Sequence, residues 1–582
     1  MLYAAVVLLF FPNSALGLNE FKEDDKMTLY VNKVGPYANP HETYHYYELP
    51  VCRPTEIVHK RLSLGEVLDG DRMAESLYDI RFRVDRQKTM LCDAKTLTEE
   101  ELAKIVSAIE ENYYFEFVLD DLPMRNFVGR LEEEGIFPHK HKVYLYTHHH
   151  FVFEYNGNHV ISAKVELSKQ APQLLDESAT QGPIQYTYSV EWRETGKTVG
   201  ERGAVVDKNF FPKSLEIHWL SVANSALLVI LLLGFVLLIL FRVVRSDLIR
   251  YNEEDGEKDE SMDNGWKVIH TDVFRIPKHR TLFCAILGVG MQLLTICITI
   301  LIIGSLDLIN VHRHGLINSL AVILYAFTSC IAGYVSAAMY KKLGGDAWVW
   351  NINFTCGLFT LPAFTVWALE NSVSWAYGST QALPATTVTL LLGIWLLVGY
   401  PLTIVGGILG KNFGGKYEAP CRTRNIPREI PDLPWYQSLP SFLLVGGFLP
   451  FSAISVELYY IFSTVWGHER YTLFGILLIV CLILISVTGC VSVALTYFQL
   501  SSEDWRWWWR SMAVGASTGL FILAYSIFFY SARSEMSGTL QTIQYFGYVA
   551  LLCYAFALAL AAVSFYSSNR FVRFIYASVK TD

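Results

Sequence analysis

Nine apolar stretches, each long enough to cross a lipid bilayer, follow one polar N-terminal block in this chain of 582 residues. Hydrocarbon offers no water to backbone N–H and C=O groups, so runs of about 20 apolar residues predict helices. The predicted spans are Leu220–Phe241, Thr281–Gly304, Leu316–Met339, Trp348–Leu369, Leu383–Leu409, Ser441–Trp466, Tyr471–Phe498, Ser511–Tyr530 and Gln541–Tyr566. The pattern predicts a polytopic α-helical membrane protein and restricts its function to moving, sensing or sorting something at a membrane.

The distribution of basic residues predicts the orientation of these spans. If the N-terminal block lies outside the cytosol, the cytosolic loops and tail carry 20 Lys and Arg residues. The opposite loops carry only Arg313, Arg470 and Arg533. Because cytosolic loops are enriched in Lys and Arg, we expect a lumenal N-terminus and a cytosolic C-terminus, which also requires an odd number of spans.

The N-terminus is typical of a cleaved signal peptide. Leu2–Phe11 is a short apolar core, and Ala15-Leu16-Gly17 supplies small residues for cleavage after Gly17. Pro12 and Asn13 end the run too early for a tenth span. The predicted organisation is a signal peptide at 1–17, a lumenal domain at 18–219, a first span at 220–241, a cytosolic loop at 242–280, an eight-helix bundle at 281–566 and a cytosolic tail at 567–582.

The lumenal block is predicted to be mainly β, with a β-sandwich-like fold and few helices. Strand-like runs occur at Lys142–Tyr146, Phe151–Tyr155, His159–Leu167 and Thr187–Thr195, and Asn156-Gly157-Asn158 supplies hairpin turn chemistry. Apolar residues at helical spacing predict a helix over Thr98–Asn112, where Thr98 and Glu101 are suited to a capping box.

Composition narrows the possible partners. The net charge of −8 comes without a basic stripe, so we do not expect nucleic acid as a partner. Only Cys52 and Cys92, of ten cysteines, fall in the lumenal block. In an oxidising compartment they most simply form one disulfide, and two free buried thiols are the alternative.

Two histidine motifs in the lumenal block resemble metal-binding sites, but the sequence around them argues against metal binding. His41 to His45 match the H-E-x-x-H pattern of zinc proteases, which needs a helix. Pro36, Pro40 and Pro50 bracket the motif and favour extended structure, and no third ligand is identifiable, so no metal site or catalytic residue is predicted. His148, His149 and His150 suit metal binding or pH sensing, but we expect a solvated strand face.

Several segments resemble the transmembrane 9 superfamily, the nonaspanins, and look most like its member-1 branch. The lumenal ones are Val34-Gly35-Pro36-Tyr37, Asn39-Pro40, Glu42-Thr43-Tyr44, the run from Leu64 to Arg72, Tyr114-Phe115-Glu116-Phe117 and Asp120-Asp121-Leu122-Pro123. The membrane half adds the runs His270–Arg275, Gly446–Phe451, Ser455–Tyr460 and Trp505–Arg510. The likeness covers essentially the whole mature chain.

The resemblance implies nine spans, a lumenal domain, and residence in Golgi and endosome membranes. It also implies sorting or surface delivery of client membrane proteins, links to adhesion, phagocytosis and autophagy, and neither enzyme activity nor a cofactor. The chain ends Lys580-Thr581-Asp582, which resembles the K-x-D/E retention signal of this family. A Lys and a carboxylate on a cytosolic tail would bind vesicle coat proteins, whereas the alternative is a solvated polar terminus.

Glu457 is the conspicuous ionisable residue within a predicted span. A carboxylate in hydrocarbon is costly unless it is paired, protonated or hydrated, so it suits a cargo groove, a lipid pocket or a proton path. The alternative is a structural pair with a polar group on another span, for example Gln292.

Small and aromatic residues suggest helix contacts and membrane anchoring. Gly515 with Gly519 and Gly406 with Gly410 permit close helix approach, either to client spans or within this bundle. The run Trp505, Arg506, Trp507, Trp508, Trp509 and Arg510 is predicted to anchor a turn at the bilayer interface, with anionic-lipid binding as an alternative.

Three classes of function compete. We favour a non-enzymatic sorting receptor. A transporter, channel or lipid-binding protein using Glu457, with Asp307 and His312, is the second class, although ionisable residues in the spans are sparse. A membrane hydrolase built on His41, Glu42 and His45 is the third, and the proline-rich setting opposes it.

Overall fold

The computed structural model describes residues 19–134, 140–167, 172–175, 183–202, 219–253, 265–306, 315–415, 417–467 and 474–577. The chain divides into two compact units. The head unit comprises Met1–Ser214, Asn310–Leu316 and Ala376–Ala382, and the helical unit comprises Leu215–Ile309, Ile317–Trp375 and Leu383–Asp582. The predicted signal peptide lies outside the described residues.

The described part of the head unit is mainly β, as predicted. Its strands are β1 Lys26–Met27, β2 Leu29–Pro36, β3 Tyr44–His45, β4 Ala74–Glu75, β5 Ile80–Arg81, β6 Arg86–Met90, β7 Tyr113–Leu119, β8 Leu122–Phe127, β9 Gly129–Glu134, β10 Lys140–Leu145, β11 His148–Asn156, β12 His159–Glu166, β13 Gln173–Leu175 and β14 Thr187–Glu194. Its α-helices are α1 Leu64–Leu68 and α2 Glu99–Glu110. A five-stranded sheet has the order β3-β2-β7-β8 with β4 beside β2, and a four-stranded sheet has the order β12-β11-β14-β6.

Local sequence explains the two best-predicted elements. Gly157 has φ of +58° in the turn between β11 and β12, a conformation that favours glycine, and Asn156 pairs with His159 across it. Helix α2 begins at the predicted capping box, in which the Thr98 and Glu101 side chains each bond the other's backbone N–H.

The two larger sheets enclose one aromatic core. Alternate residues of β11 point inward, and Phe151 and Phe153 are fully buried. The rings of Phe117 on β7 and Phe151 have centroids 6.3 Å apart, so side chains from the two sheets meet directly. This packing matches the predicted sandwich-like arrangement.

A buried polar network ties β2 to two of the segments that carry the family resemblance. Asn32 Nδ2 donates to Asp71 Oδ1 and to Glu116 Oε1, both at 2.7 Å. Lys33 Nζ lies 3.0 Å from Asp71, and Arg125 lies 2.5 Å from Glu116. Each buried carboxylate therefore has a cationic partner, without which its burial would be very costly.

A segment from late in the chain belongs to the head unit. The Thr43 carbonyl accepts hydrogen bonds from Ser379 Oγ and Thr380 N, both at 2.9 Å. Arg72 Nη2 donates to the Ala382 carbonyl at 2.6 Å. The resemblance motifs around residues 43 and 72 thus hold Ala376–Ala382 in the head unit.

All nine predicted stretches overlap helices of the helical unit. These are α3 Trp219–Glu253, α4 Arg280–Ser305, α5 Leu316–Lys342, α6 Trp348–Ala376, α7 Ala385–Ile394, α8 Tyr400–Phe413, α9 Leu439–Val465, α10 Phe474–Ser501, α11 Trp507–Ala516, α12 Thr518–Ala532 and α13 Thr539–Ala577. A π-helical turn at Trp395–Gly399 joins α7 to α8, and Ser517 joins α11 to α12. Among the described residues, eight helical segments are long and apolar enough to cross a membrane, and α3 is not one of these eight.

Candidate functional site

The H-E-x-x-H segment does not form the helix that a zinc protease needs. Residues 41–43 lie in a turn and a short irregular stretch, and His45 lies on β3. Glu42 accepts hydrogen bonds from Asn39 Nδ2 and the Tyr44 hydroxyl, both at 2.8 Å. Burial, and then repulsion from His59, lowers the pKa of His45 to about 4. The extended structure predicted for the motif is present at Tyr44–His45, whereas His41 lies in a turn, and Glu42 acts as a local structural acceptor.

The prediction of a solvated histidine face on β11 is wrong. His148, His149 and His150 are all buried, with exposed fractions of 7%, 4% and 3%. Parallel pairing with β14 brings Ser189 between His148 Nε2, at 3.0 Å, and His150 Nδ1, at 2.6 Å. The sequence alone did not reveal this pairing, because β14 lies about 40 residues later in the chain.

His149 points from the opposite face of β11 into the aromatic core. Its Nδ1 lies 2.8 Å from the Tyr78 hydroxyl, and the rings of Phe115 and Phe117 pack against it. Burial lowers the pKa of His149 to about 3, with a smaller contribution from His148. The imidazole is therefore neutral over the physiological range, and protonating it opposes folding.

Cys52 and Cys92 form the predicted disulfide in the head unit. Their Cα atoms are 6.0 Å apart, within the usual range for such a bond. In the described part of the chain, no group of three or more His, Cys, Asp or Glu residues is placed to hold a metal ion.

Two tryptophans of the Trp505–Arg510 motif are buried, so their prediction as interfacial anchors is wrong. Trp507 and Trp508 are 0% and 3% exposed, and both indole N–H groups donate to the Val273 carbonyl, at 2.9 and 3.2 Å. Trp509 donates to the Lys278 carbonyl at 2.9 Å. The motif thus binds the segment that precedes α4, and these indole N–H groups are not directed at lipid headgroups.

The charged residues beside these tryptophans hold the same region together. Asp504 is fully buried and pairs with Arg506 at 3.0 Å and with Arg510 at 2.8 Å. Trp505 donates to the Arg428 carbonyl at 3.2 Å, and the Arg275 guanidinium lies over its ring. Both arginines of the motif are therefore paired with a buried carboxylate.

Gly515 and Gly519 contact α13 within this bundle. A Cβ on Gly515 would overlap the Leu560 carbonyl, and one on Gly519 would come within 2.8 Å of the Cys553 carbonyl oxygen. The predicted role in close helix contact is confirmed, and the contact is internal.

Gly406 and Gly410 on α8 make the equivalent contacts with α5. A Cβ at either position would overlap a backbone oxygen, that of Cys330 or of Tyr334. These two glycines are therefore also used in internal packing, so neither is available to a client helix.

The segment Ala385–Phe413 is the least buried of the eight candidate spans. Only 11% of the residues in its apolar 18-residue stretch are buried, against 50% in the corresponding stretch of Trp507–Ala532. A Cβ at Gly393 on α7 would meet no atom within 4 Å, and nearby Leu396 and Leu397 are 55% and 75% exposed. This surface around Gly393, beside the π-helical turn, is termed the α7 face below. The sequence did not distinguish Gly393 from the packed glycines.

Glu457 on α9 is 8% exposed, as expected for a residue facing the bundle. The suggested partner Gln292 uses its side-chain nitrogen elsewhere: Nε2 lies 3.0 Å from the Tyr325 carbonyl and 3.3 Å from Ser329 Oγ. Gln292 therefore serves the contact between α4 and α5.

Sequence reasoning missed a second buried carboxyl group. The fourth predicted span ends at Leu369, whereas α6 continues to Ala376 and so includes Glu370, which is 3% exposed. The tail residues Lys580 and Asp582, like Asp307 and His312, lie outside the described residues.

Comparison with known proteins identifies the family. The family described as Endomembrane protein 70 matches residues 43–539. The chain is 56% identical to "Transmembrane 9 superfamily member 1" of Bos taurus, over 97% of this chain and 95% of that protein. It is 43% identical to "Transmembrane 9 superfamily member 4" of Arabidopsis thaliana, with the same coverage. It is 44% identical to the "Putative phagocytic receptor 1b" of Dictyostelium discoideum, over 97% of this chain and 96% of that protein.

No solved structure matches the chain. The family match extends over most of the sequence, and relatives from an animal, a plant and an amoeba align along nearly its whole length. The resemblance predicted from the motifs is confirmed, and this multi-pass membrane protein belongs to the endomembrane protein 70 family, the transmembrane 9 superfamily.

Proposed function

We propose that this protein is a non-enzymatic sorting receptor that escorts client membrane proteins from Golgi and endosome membranes towards the cell surface. Membership of the transmembrane 9 superfamily supports this role. The name of the Dictyostelium relative, a putative phagocytic receptor, supports a function connected with surface or endosomal membranes. The observation that carries the proposal is the α7 face, with its exposed apolar surface and open glycine.

The physical argument concerns how helices associate in lipid. Lipid tails are as apolar as leucine, so association depends on close van der Waals packing, and glycine permits the closest approach. Packed glycines of the bundle, such as Gly406 and Gly515, already contact neighbouring helices. A Cβ on Gly393 would meet no atom within 4 Å, as at Gly234 and Gly475, and Gly393 differs from these two in lying within the least buried candidate span. A client span with its own small residues can therefore pack at Gly393.

The orientation we propose places the two ends of the chain on opposite sides of the membrane. The excess of Lys and Arg in the predicted cytosolic loops supports nine spans, with the head unit in the lumen. The tail would then present Lys580 and Asp582 to vesicle coat proteins, and clients held at the α7 face would follow the receptor through its cycle.

A matched pair of glycine variants tests the proposal. Gly393→Leu fills the α7 face, and Gly234→Leu fills an equally open position on α3. In cells lacking the endogenous protein, wild type and Gly234→Leu are expected to restore the surface level of the dependent membrane proteins. Gly393→Leu is expected to fold, reach its normal compartment and fail to restore them. Full restoration by Gly393→Leu contradicts client binding at this face.

A transporter or lipid-binding function is the second candidate, and the burial of Glu457 within a candidate span favours it. An intramembrane carboxyl is a common feature of ion and proton paths. Flux of ions or protons through proteoliposomes containing the full chain, abolished by Glu457→Gln, would support this candidate. Normal client export in cells that carry Glu457→Gln would show that Glu457 is not part of the sorting site.

A further inference from the structure

The contact between α6 and α13 contains an acidic site that the proposed sorting function does not use. Glu370 on α6 faces Gly547 on α13, and a Cβ built on Gly547 would overlap Glu370 Oε1. Gln544 lies one turn before Gly547 on α13, and Ser374 lies one turn after Glu370 on α6. Gln544 Nε2 donates a hydrogen bond to Ser374 Oγ at 3.1 Å. The two helices therefore contact each other at two neighbouring positions. One is the Gln544–Ser374 hydrogen bond, and the other is the Glu370 carboxyl group packed on Gly547.

This contact holds more buried acceptor atoms than well-placed donors. Glu370 Oε1 and Oε2 and Gln544 Oε1 are shielded from solvent, and none of the three accepts a well-aligned hydrogen bond from the described residues. The Tyr548 phenol, on α13, is a titratable group that acts on the Glu370 carboxyl, and it is the side chain placed to donate to it. One phenol O–H donates to one oxygen at a time, so ionisation of Glu370 still leaves buried acceptor oxygens without a donor.

An ionised Glu370 carries a high free-energy cost in a membrane-spanning helix. Glu370 lies in one of the eight candidate spans, where a charged carboxylate without a partner is expensive. A protonated carboxyl is neutral, and one of its oxygens becomes an O–H donor instead of an acceptor that needs a donor. A single proton therefore removes the charge and reduces the number of buried acceptors that lack a donor.

We propose that Glu370, with Gln544 and Tyr548, forms an intramembrane proton-binding site at the contact between α6 and α13. The proton is exchangeable with the aqueous phase, because Glu370 lies six residues from the C-terminal end of α6, about 9 Å along the helix axis. Loss of the proton places a charge over Gly547 and loosens the contact. The site thus couples the packing of α6 on α13 to the acidity of the compartment.

Infrared spectroscopy of the purified full-length protein in lipid nanodiscs tests this directly. A protonated carboxyl has its own C=O stretching band, separate from the bands of a carboxylate. Wild type is expected to show a band at mildly acidic pH that shifts in D₂O and loses intensity at alkaline pH. Glu370→Gln, which keeps the shape and supplies an N–H donor, is expected to fold and to lose the part of that band that Glu370 contributes.

Glu457→Gln is the matched control, because Glu457 is also a buried carboxyl within a candidate span. The band of Glu370 is expected to persist in this variant. A pH-dependent band that keeps its full intensity in Glu370→Gln, or a Glu370 band that does not change with pH, would overturn the proposal. If the band is lost when sodium replaces choline at constant pH, the site binds a metal cation. That result would also overturn the proposal of a proton site.

Discussion

The buried imidazole of His149 makes the stability of the head unit depend on pH. In the native state burial lowers its pKa to about 3, whereas an exposed histidine titrates near 6.5. Between these values the unfolded chain binds a proton that the native head does not bind, so the free energy of unfolding decreases as the pH falls below about 6.5. For one such group the loss is about 2 kcal/mol at about pH 5, relative to neutral pH.

Hydrogen–deuterium exchange of the full-length protein in detergent measures this loss. His149 is expected to lower the opening free energies of the β11 amides, corrected for intrinsic exchange, by about 2 kcal/mol between neutral pH and about pH 5, and the buried His45 adds a loss of its own. In His149→Phe the total decrease should be smaller than in wild type by about 2 kcal/mol, because phenylalanine suits the surrounding ring cluster and carries no titratable group. The variant is also expected to be less stable at neutral pH, because the Tyr78 hydroxyl loses its partner at 2.8 Å.

His159→Asn is the control, because His159 is only partly buried and bonds a backbone carbonyl at the surface. It should keep the wild-type pH dependence. If His149→Phe and wild type lose the same opening free energy on acidification, His149 does not titrate as the structure requires.

Three further predictions follow from other parts of the chain. Trp508→Ala should lower the stability of the helical unit by about 3–5 kcal/mol, measured by thermal unfolding in detergent, since it empties a buried ring position and removes a hydrogen bond to Val273. Gly406→Leu should reduce the yield of folded protein, measured by size-exclusion chromatography, whereas Gly393→Leu should not, because only Gly406 faces a backbone oxygen. Lys580→Ala should move the protein from the Golgi to later compartments, measured by imaging, and an unchanged location would show that the tail carries no signal.

The spans and the main strands could be predicted because local pattern determines them. A run of apolar residues as long as Phe474–Ser501 has no stable alternative to a helix in lipid. Alternating residues around an Asn-Gly turn similarly define the hairpin at Gly157. The disulfide could be predicted because only two cysteines fall in the N-terminal block, for which we expected an oxidising compartment.

Contacts between distant segments explain the wrong predictions. His148 and His150 are buried because β14 pairs in parallel with β11 and places Ser189 between them. Trp507 is buried because it binds a carbonyl group 234 residues earlier in the chain. Nothing in the local sequence of either motif distinguishes a surface stripe from a buried contact.

The glycines and carboxyl groups show a different limit. Gly393 and Gly406 occupy one predicted span, and only the packing of α5 decides which of them is open. Glu370 was missed because the predicted span ended one residue before it, and span boundaries are uncertain by a few residues.

Site-specific photo-crosslinking at Leu397 tests the central claim, that the α7 face binds client spans. Leu397 is 75% exposed, and Leu238 on α3 is 70% exposed and serves as the control. A photo-reactive residue at 397 is expected to crosslink membrane proteins that depend on this chain for surface delivery, and Gly393→Leu should abolish those adducts. Crosslinks to lipid alone at 397, or the same proteins captured equally from 238, would contradict the account.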